Sequence, residues 1–317
     1  MGIVMVKSGS HRLAIGFVSA ACFATAVSSK VDATEYAFST YGLGSAAFGA
    51  GMTPPAGTYV TFVSSYYSAK IGADIDFGGV VIDAGAKVKA FASAFNLLHV
   101  PQREFLGGHL GFAITIPAGH VDIDATISSE LGTVARQTDG WGFGDIIGRA
   151  QLGWTSGELS YLIYLQGVAP TGRYEPGFFP IIGLNRPSID IGAAFTWANK
   201  ATRLQFNGSL GFTFNFENDE TDYDSGNEFH FEWAIGYEIS QGLVIGVVGY
   251  DYRQLTGDKG GRVGPFKGEV DAIGAGLSYT TLVGQTPITL NLRHYEEYHA
   301  KNRWEGSSTI ASGTVRF

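Results

Sequence analysis

Thiols are almost absent from this chain. Its single cysteine, Cys22, lies near the start of 317 residues, and nothing after it can form a disulfide. That suits a chain crossing an oxidising compartment unfolded. Charge is scarce too, at 16% of residues, and basic clusters are missing. The net charge of −8 becomes more negative once Lys7, Arg12 and Lys30 are set aside together with Asp32. An acidic chain without basic patches is not built to bind nucleic acid. After Val27 no apolar run approaches the roughly 20 residues of a membrane-spanning helix. There is no G-x-S-x-G, and none of His99, His109, His120, His230, His294 and His299 has Ser two residues later. The patterns of lipid hydrolases are therefore missing, and no enzyme is expected. His230 and Glu232 stand two apart, but no third metal ligand accompanies them. Asp222-x-Asp224-x-Gly226 misses the spacing of a calcium loop and reads as a solvated acidic loop. No cofactor is implied, and no energy-coupling segment is visible.

What is present is 45 Gly, 13% aromatic residues and a mean hydropathy of +0.09. A chain this apolar with no spanning helix is either a large soluble β protein or a membrane barrel. Residues 1–33 read as a secretory signal peptide. Lys7 and Arg12 precede the apolar stretch Leu13 to Val27, and Val31-Asp32-Ala33 gives small residues before a cut at Thr34. Cys22 fits a lipoprotein box poorly, because Ser19 stands where Leu belongs.

The rest of the chain alternates at period two. In 202–215, Leu204, Phe206, Leu210, Phe212 and Phe214 oppose Gln205, Asn207, Ser209 and Thr213. In 228–239, Phe229, Phe231, Trp233 and Ile235 oppose Glu228, His230 and Glu232. Such strands present one aromatic face and one charged face. That suits lipid outside and a wet lumen inside. Twelve strands are expected at 58–68, 83–97, 105–127 (bulged at Pro117-Ala118-Gly119), 142–155, 158–169, 188–198, 202–215, 227–240, 242–254, 268–280, 286–298 and 307–317. The connections alternate in length. Short ones centre on residues 100–103, 156–157, 199–200, 241–242 and 283–285, and long ones cover 69–82, 128–141, 170–187, 216–226, 255–267 and 299–306. Short periplasmic turns and long extracellular loops produce that alternation. Trp154, Trp197, Tyr279 and Phe317 would form the inner aromatic girdle, and Phe214, Phe229 and Tyr252 the outer one. The expected fold is all-β, a transmembrane antiparallel up-and-down β-barrel over 58–317 in the outer membrane. Phe317 is the residue the barrel-assembly machinery would read.

Several motifs, in order, carry a family resemblance. They are Pro54-Pro55-Ala56-Gly57-Thr58-Tyr59, Phe143-Gly144-Asp145-Ile146, Pro170-Thr171-Gly172-Arg173-Tyr174, the run Asn218 to Trp233, and Gly249 to Asp258 before Lys267-Gly268. Over residues 54 to 317 the chain resembles the family named for the MetA pathway of phenol degradation. The resemblance implies an outer-membrane barrel associated with uptake of aromatic or other hydrophobic compounds.

The polar face gives a candidate solute pathway of Lys87, Lys89, Arg149, Arg203, Asn207, Glu228, His230, Glu232, Arg253 and Arg293. Two readings remain open for it. The groups hydrate and select a passage, or they pair across strands and fill a narrow barrel. Residues 34–57, with Phe38, Tyr41, Leu43 and Phe48, are too apolar for a free periplasmic tail and read as a plug that enters the lumen, the alternative being a disordered leader or an extension of the first strand. Phe178, Phe179 and Ile181 in the loop 170–187 are candidates for hydrophobic capture. The expected function is passive uptake of small hydrophobic or aromatic solutes, with lipid and solute as partners. The alternative is a structural or adhesive barrel without transport.

Overall fold

The computed structural model describes residues 35–77, 80–129, 132–175, 182–260 and 267–317, all within one compact unit, Val31–Phe317. Residues 1–33, expected as a signal peptide, lie outside the described residues, and so do Phe178, Phe179 and Ile181. No described helix is long and apolar enough to cross a membrane.

The wall is built from β1 (Gly57–Phe77), β2 (Val80–Val100), β3 (His109–Ser129), β4 (Gly132–Phe143), β5 (Ile146–Ser156), β6 (Leu159–Ala169), β7 (Ser188–Asn199), β8 (Leu204–Asn215), β9 (Glu228–Ser240), β10 (Leu243–Gln254), β11 (Glu269–Val283), β12 (Thr286–Lys301) and β13 (Glu305–Arg316). Each pairs antiparallel with its neighbour, and β1 pairs with β13 from Tyr59↔Arg316 to Lys70↔Glu305 to close the barrel. Closure joins the two end strands, whose edges an open sheet would leave bare in lipid. β4 and β5 run in series along one neighbour, β3, so the barrel has twelve wall positions rather than thirteen. Phe62, Phe95, Phe112, Ile163, Phe212 and Ile235 stand exposed on the outer face, as lipid contact requires.

The short connections fall where the alternation placed them, at Gly157, Gly242 and Gly284, each in the left-handed region that glycine tolerates. Two of the long connections are not loops. Residues 69–77 and 80–82 extend β1 and β2 as one long hairpin, and 132–141 belong to β4. A strand of 21 residues spans about 70 Å at 3.3 Å per residue. Even tilted, it overruns the apolar band of about 25 Å. Its outer half therefore stands in water and headgroups, where polar residues are no barrier to pairing.

The bulge also sits elsewhere than expected. β3 pairs with β2 without a slip through Ala94↔Pro117 and Ala92↔Gly119. The extra residue lies across the ladder, between β4 and β5. Ala118 pairs with Phe143 and Thr115 with Ile147, a register change of one. Pro117 is the cause. It has no N–H to give on this side, and its carbonyl accepts instead from Gly144 N at 2.9 Å. Asp145 stabilises the break. Its Oδ1 accepts from Thr171 N (3.0 Å) and Gly172 N (2.9 Å), and its Oδ2 from Leu184 N (2.8 Å).

Asp145→Ala leaves three backbone N–H groups without that acceptor and should destabilise the barrel by about 2–4 kcal/mol, whereas Asp145→Asn, which keeps one acceptor oxygen, should cost less. The temperature at which the folded band is lost in heat-modifiability gels measures both.

Candidate functional site

The lumen is occupied by the chain's own residues 35–56. Gly57 starts β1 at the inner rim, yet Glu35 lies at the outer mouth, so this segment runs the length of the barrel. Glu35 Oε1 accepts from Tyr174 OH (3.1 Å) and Thr221 Oγ1 (2.9 Å), and Oε2 from Asn218 Nδ2 (2.8 Å). Trp304 Nε1 donates to Tyr36 O (3.0 Å), and Arg186 Nη2 to Phe38 O (2.9 Å). Ser39 Oγ donates to Glu228, and Tyr41 stacks on His230 with centroids 3.5 Å apart. Deeper in, Glu232 accepts from Gly44 N (3.1 Å) and Ala46 N (2.5 Å), while Arg293 donates to Ser45 O (2.7 Å). Near the inner rim Asn207 Oδ1 accepts from Gly49 N (2.9 Å) and Thr196 Oγ1 from Gly51 N (3.0 Å).

The logic is simple. Residues 35–56 contain no strand to satisfy their own main chain. A buried N–H without a partner costs about 1–3 kcal/mol. The wall therefore supplies acceptors at a spacing set by its period of two. Glu228, His230 and Glu232 project inward from one strand, each at most 1% exposed. Asp190, on β7, orients His230 at 2.9 Å and accepts from Thr213 Oγ1 at 2.6 Å. Burial raises the Tyr174 hydroxyl at the mouth above the ordinary tyrosine range.

Arg149, Asn207, Glu228, His230, Glu232 and Arg293 thus face the lumen. Arg149 lies 3.9 Å above the Tyr164 ring. Four other candidates do not belong there. Lys87 and Lys89 are exposed on the same outward face as Phe91 and Phe95. They sit on the overrunning part of β2, where charge no longer marks the lumen. Arg203 is exposed in the turn before β8, with φ 60°. Arg253 pairs outward with Asp271 at 2.5 Å, because its neighbour Tyr252 faces inward and is 1% exposed. Tyr252 was expected in the outer girdle. It packs instead in an apolar cluster with Val248, Tyr250, Val270 and Tyr295, against Leu43 and Phe48 of the luminal segment. An apolar guest reverses the usual meaning of an apolar wall face.

Sequence reasoning missed Glu35, Arg186, Asp190 and Thr196. Asp190 and Thr196 were legible as polar breaks between Ile189, Ile191, Phe195 and Trp197. Glu35 and Arg186 lie outside any alternating strand and carried no such pattern.

A second region adjoins the break at Asp145. Beyond it β4 pairs with β3 alone among the described residues. β6 ends at Ala169, and after Arg173 N donates to Phe143 O (2.8 Å) the chain turns inward to Tyr174 and Glu35. Among the described residues no strand pairs with the other edge of β4, where Arg173 N is the one main-chain donor, to Phe143 O. Ile182 packs in this gap, beside an apolar cluster containing Ala69, Val88, Val121, Ile123 and Trp304. Trp141 and Phe143 flank it outside, 64% and 67% exposed.

Two variants test the hold on the luminal segment. A Cβ at Gly51 would lie 2.4 Å from the Phe195 backbone, so Gly51→Val should lift the segment off the wall. Glu232→Ala removes the acceptor of two buried N–H groups. Both should raise single-channel conductance several-fold and speed amide exchange at Gly44 and Ala46.

Among proteins of curated function, none matches the chain. Among solved structures, the COG4313 outer membrane channel from Pseudomonas putida F1 aligns with a TM-score of 0.66 at 16% identity, covering 85% of this chain and 98% of that one. The CymD monoaromatic hydrocarbon channel aligns with a TM-score of 0.41 at 9% identity, covering 83% and 89%. The first supports the fold; the second is too distant to add to it. The fold, the lipid-facing outer surface and the short inner turns make this an outer-membrane β-barrel. Residues 72–312 match the model of the family described as "Putative MetA-pathway of phenol degradation", and the chain belongs to that family.

Proposed function

We propose that this barrel admits small hydrophobic or aromatic solutes passively and releases them sideways through its wall. One observation carries the reading. The axial lumen is occupied by residues 35–56, whereas β4 has, among the described residues, a ladder edge without a partner strand beside an apolar cluster. A hydrophobic solute entering at the mouth meets Ile182 and Trp304 before any charge of the β9 row. A gap lined by apolar side chains lets it reach lipid without crossing the hydrogen-bonded core. Water-soluble ions gain nothing from that route, since its far end is hydrocarbon. The outer membrane channel of P. putida, similar in fold, agrees with transport as the general activity. Within this reading, residues 34–57 act as a plug, and Arg149, Asn207, Glu228, His230, Glu232 and Arg293 anchor it rather than line an aqueous pore. Phe178, Phe179 and Ile181 continue the chain that ends at Ile182, and we assign them the capture step. Phe317 would engage the assembly machinery. Residues 1–33 would direct export.

Ile182→Glu places a charge in the gap without touching the anchors. Uptake of a radiolabelled monoaromatic solute into cells expressing the variant should fall at least about tenfold, because carrying an apolar solute past an unpaired carboxylate requires its desolvation. Planar-bilayer conductance should not change. Equal loss of both would point to axial passage, loss of neither would rule out the gap as the route, and wild-type uptake no greater than in cells lacking the protein would point to a barrel without a transport role.

A further inference from the structure

Lys87 and Lys89 are the two residues whose position the alternation misjudged most plainly, and their real environment suggests a use. They stand on the outward face of the β1–β2 hairpin with Lys70. Lys70 is directly opposite Lys87, and Lys89 is opposite Ser68. All three are exposed, and among the described residues none takes part in an ion pair. Like charges directly opposite each other on adjacent strands repel. A carboxylate stands across the other edge of each lysine row. Glu305 is opposite Lys70, Asp124 opposite Lys87 and Asp122 opposite Lys89. These acids do not close on the lysines. Farther out, Asp74 and Asp83 occupy opposed positions on the same hairpin.

The other half of the pattern lies just below. Phe62 is opposite Phe95 and Tyr66 opposite Phe91, and all four are exposed on the same face. Lys89 is two residues beyond Phe91 toward the outer end, and Lys70 is four beyond Tyr66. At about 3.3 Å per residue the ammonium groups begin some 7 Å along the strand past the last aromatic rings. Aromatic rings mark the boundary of the hydrocarbon. The lysines therefore sit at headgroup height, above two aromatic pairs separated by the hydrogen-bonded Ser64 and Ser93.

We infer that this face is a docking site for the phosphorylated, multiply acylated glycolipid of the outer leaflet. Its acyl chains lie on Phe62, Tyr66, Phe91 and Phe95. Its phosphate groups bridge Lys70, Lys87 and Lys89 and relieve their mutual repulsion. Ammonium groups are point donors suited to phosphate, and several of them near a membrane surface add their attractions. The neighbouring acids on β3 confine the basic strip to β1 and β2. The site is separate from the gap at Asp145 and does not depend on what the barrel transports.

The test uses the purified full-length barrel reconstituted in three kinds of vesicle. They contain phosphatidylcholine alone, phosphatidylcholine with bisphosphorylated lipid A, or phosphatidylcholine with dephosphorylated lipid A. Glycolipid retained per barrel after mild detergent extraction is measured by mass spectrometry. The wild type should retain the bisphosphorylated form about tenfold more than the dephosphorylated form, with the preference weakening as salt rises. The combined variant Lys70→Gln, Lys87→Gln, Lys89→Gln should lose the preference, while Lys200→Gln in an inner turn should keep it. Single Lys87→Gln and Lys89→Gln variants should each weaken it, which covers the case where the triple variant folds poorly. Equal retention by the wild type and the folded variants, retention blind to the phosphates, or displacement by inorganic phosphate alone would overturn the inference.

Discussion

The structure depends on one constraint: a strand in lipid has no water to satisfy its main chain. The ladder between β1 and β13 answers it by joining the two ends of the sheet. From there the architecture follows. The strands tilt, their side chains alternate between lipid and lumen, and tight turns gather at the inner rim. Phe317 N donates to Thr58 O at 2.8 Å, extending closure past the last ladder pair.

The same constraint explains why the exceptions are informative. The wall breaks where Pro117 lacks an N–H, and the break is stabilised by Asp145 with three main-chain donors from the following loop. Among the described residues the far edge of β4 has no partner strand from that break outward, beside Trp141 and Phe143 on the outer face. Its neighbours are apolar on both sides.

Inside, the requirement takes another form. An apolar segment without strands fills a polar tube, and the tube satisfies its N–H groups with Glu232, Asn207 and Thr196. Glu228, His230 and Glu232 are charged-type residues in a row, yet all are buried and hydrogen-bonded. All three touch residues 35–56. The chain itself and paired side chains both occupy the described lumen.

Period-two alternation, turn residues and the absence of any spanning helix were enough to establish the barrel, its twelve wall positions and its inner rim. They put Asn207 of β8, Glu228, His230 and Glu232 of β9 and Arg293 of β12 on the inward face, since there one face meets lipid and the other a polar interior. They failed at Lys87, Lys89, Arg253 and Tyr252 for two physical reasons. Strands that overrun the membrane have water on both faces, so charge ceases to mark the lumen. A lumen that holds Leu43 and Phe48 makes its own wall apolar, so hydrophobicity ceases to mark lipid. The sequence by itself determined that each strand has two unlike faces. Only the tertiary structure decided what each face meets, because that depends on strand height and on where residues 35–56 come to rest.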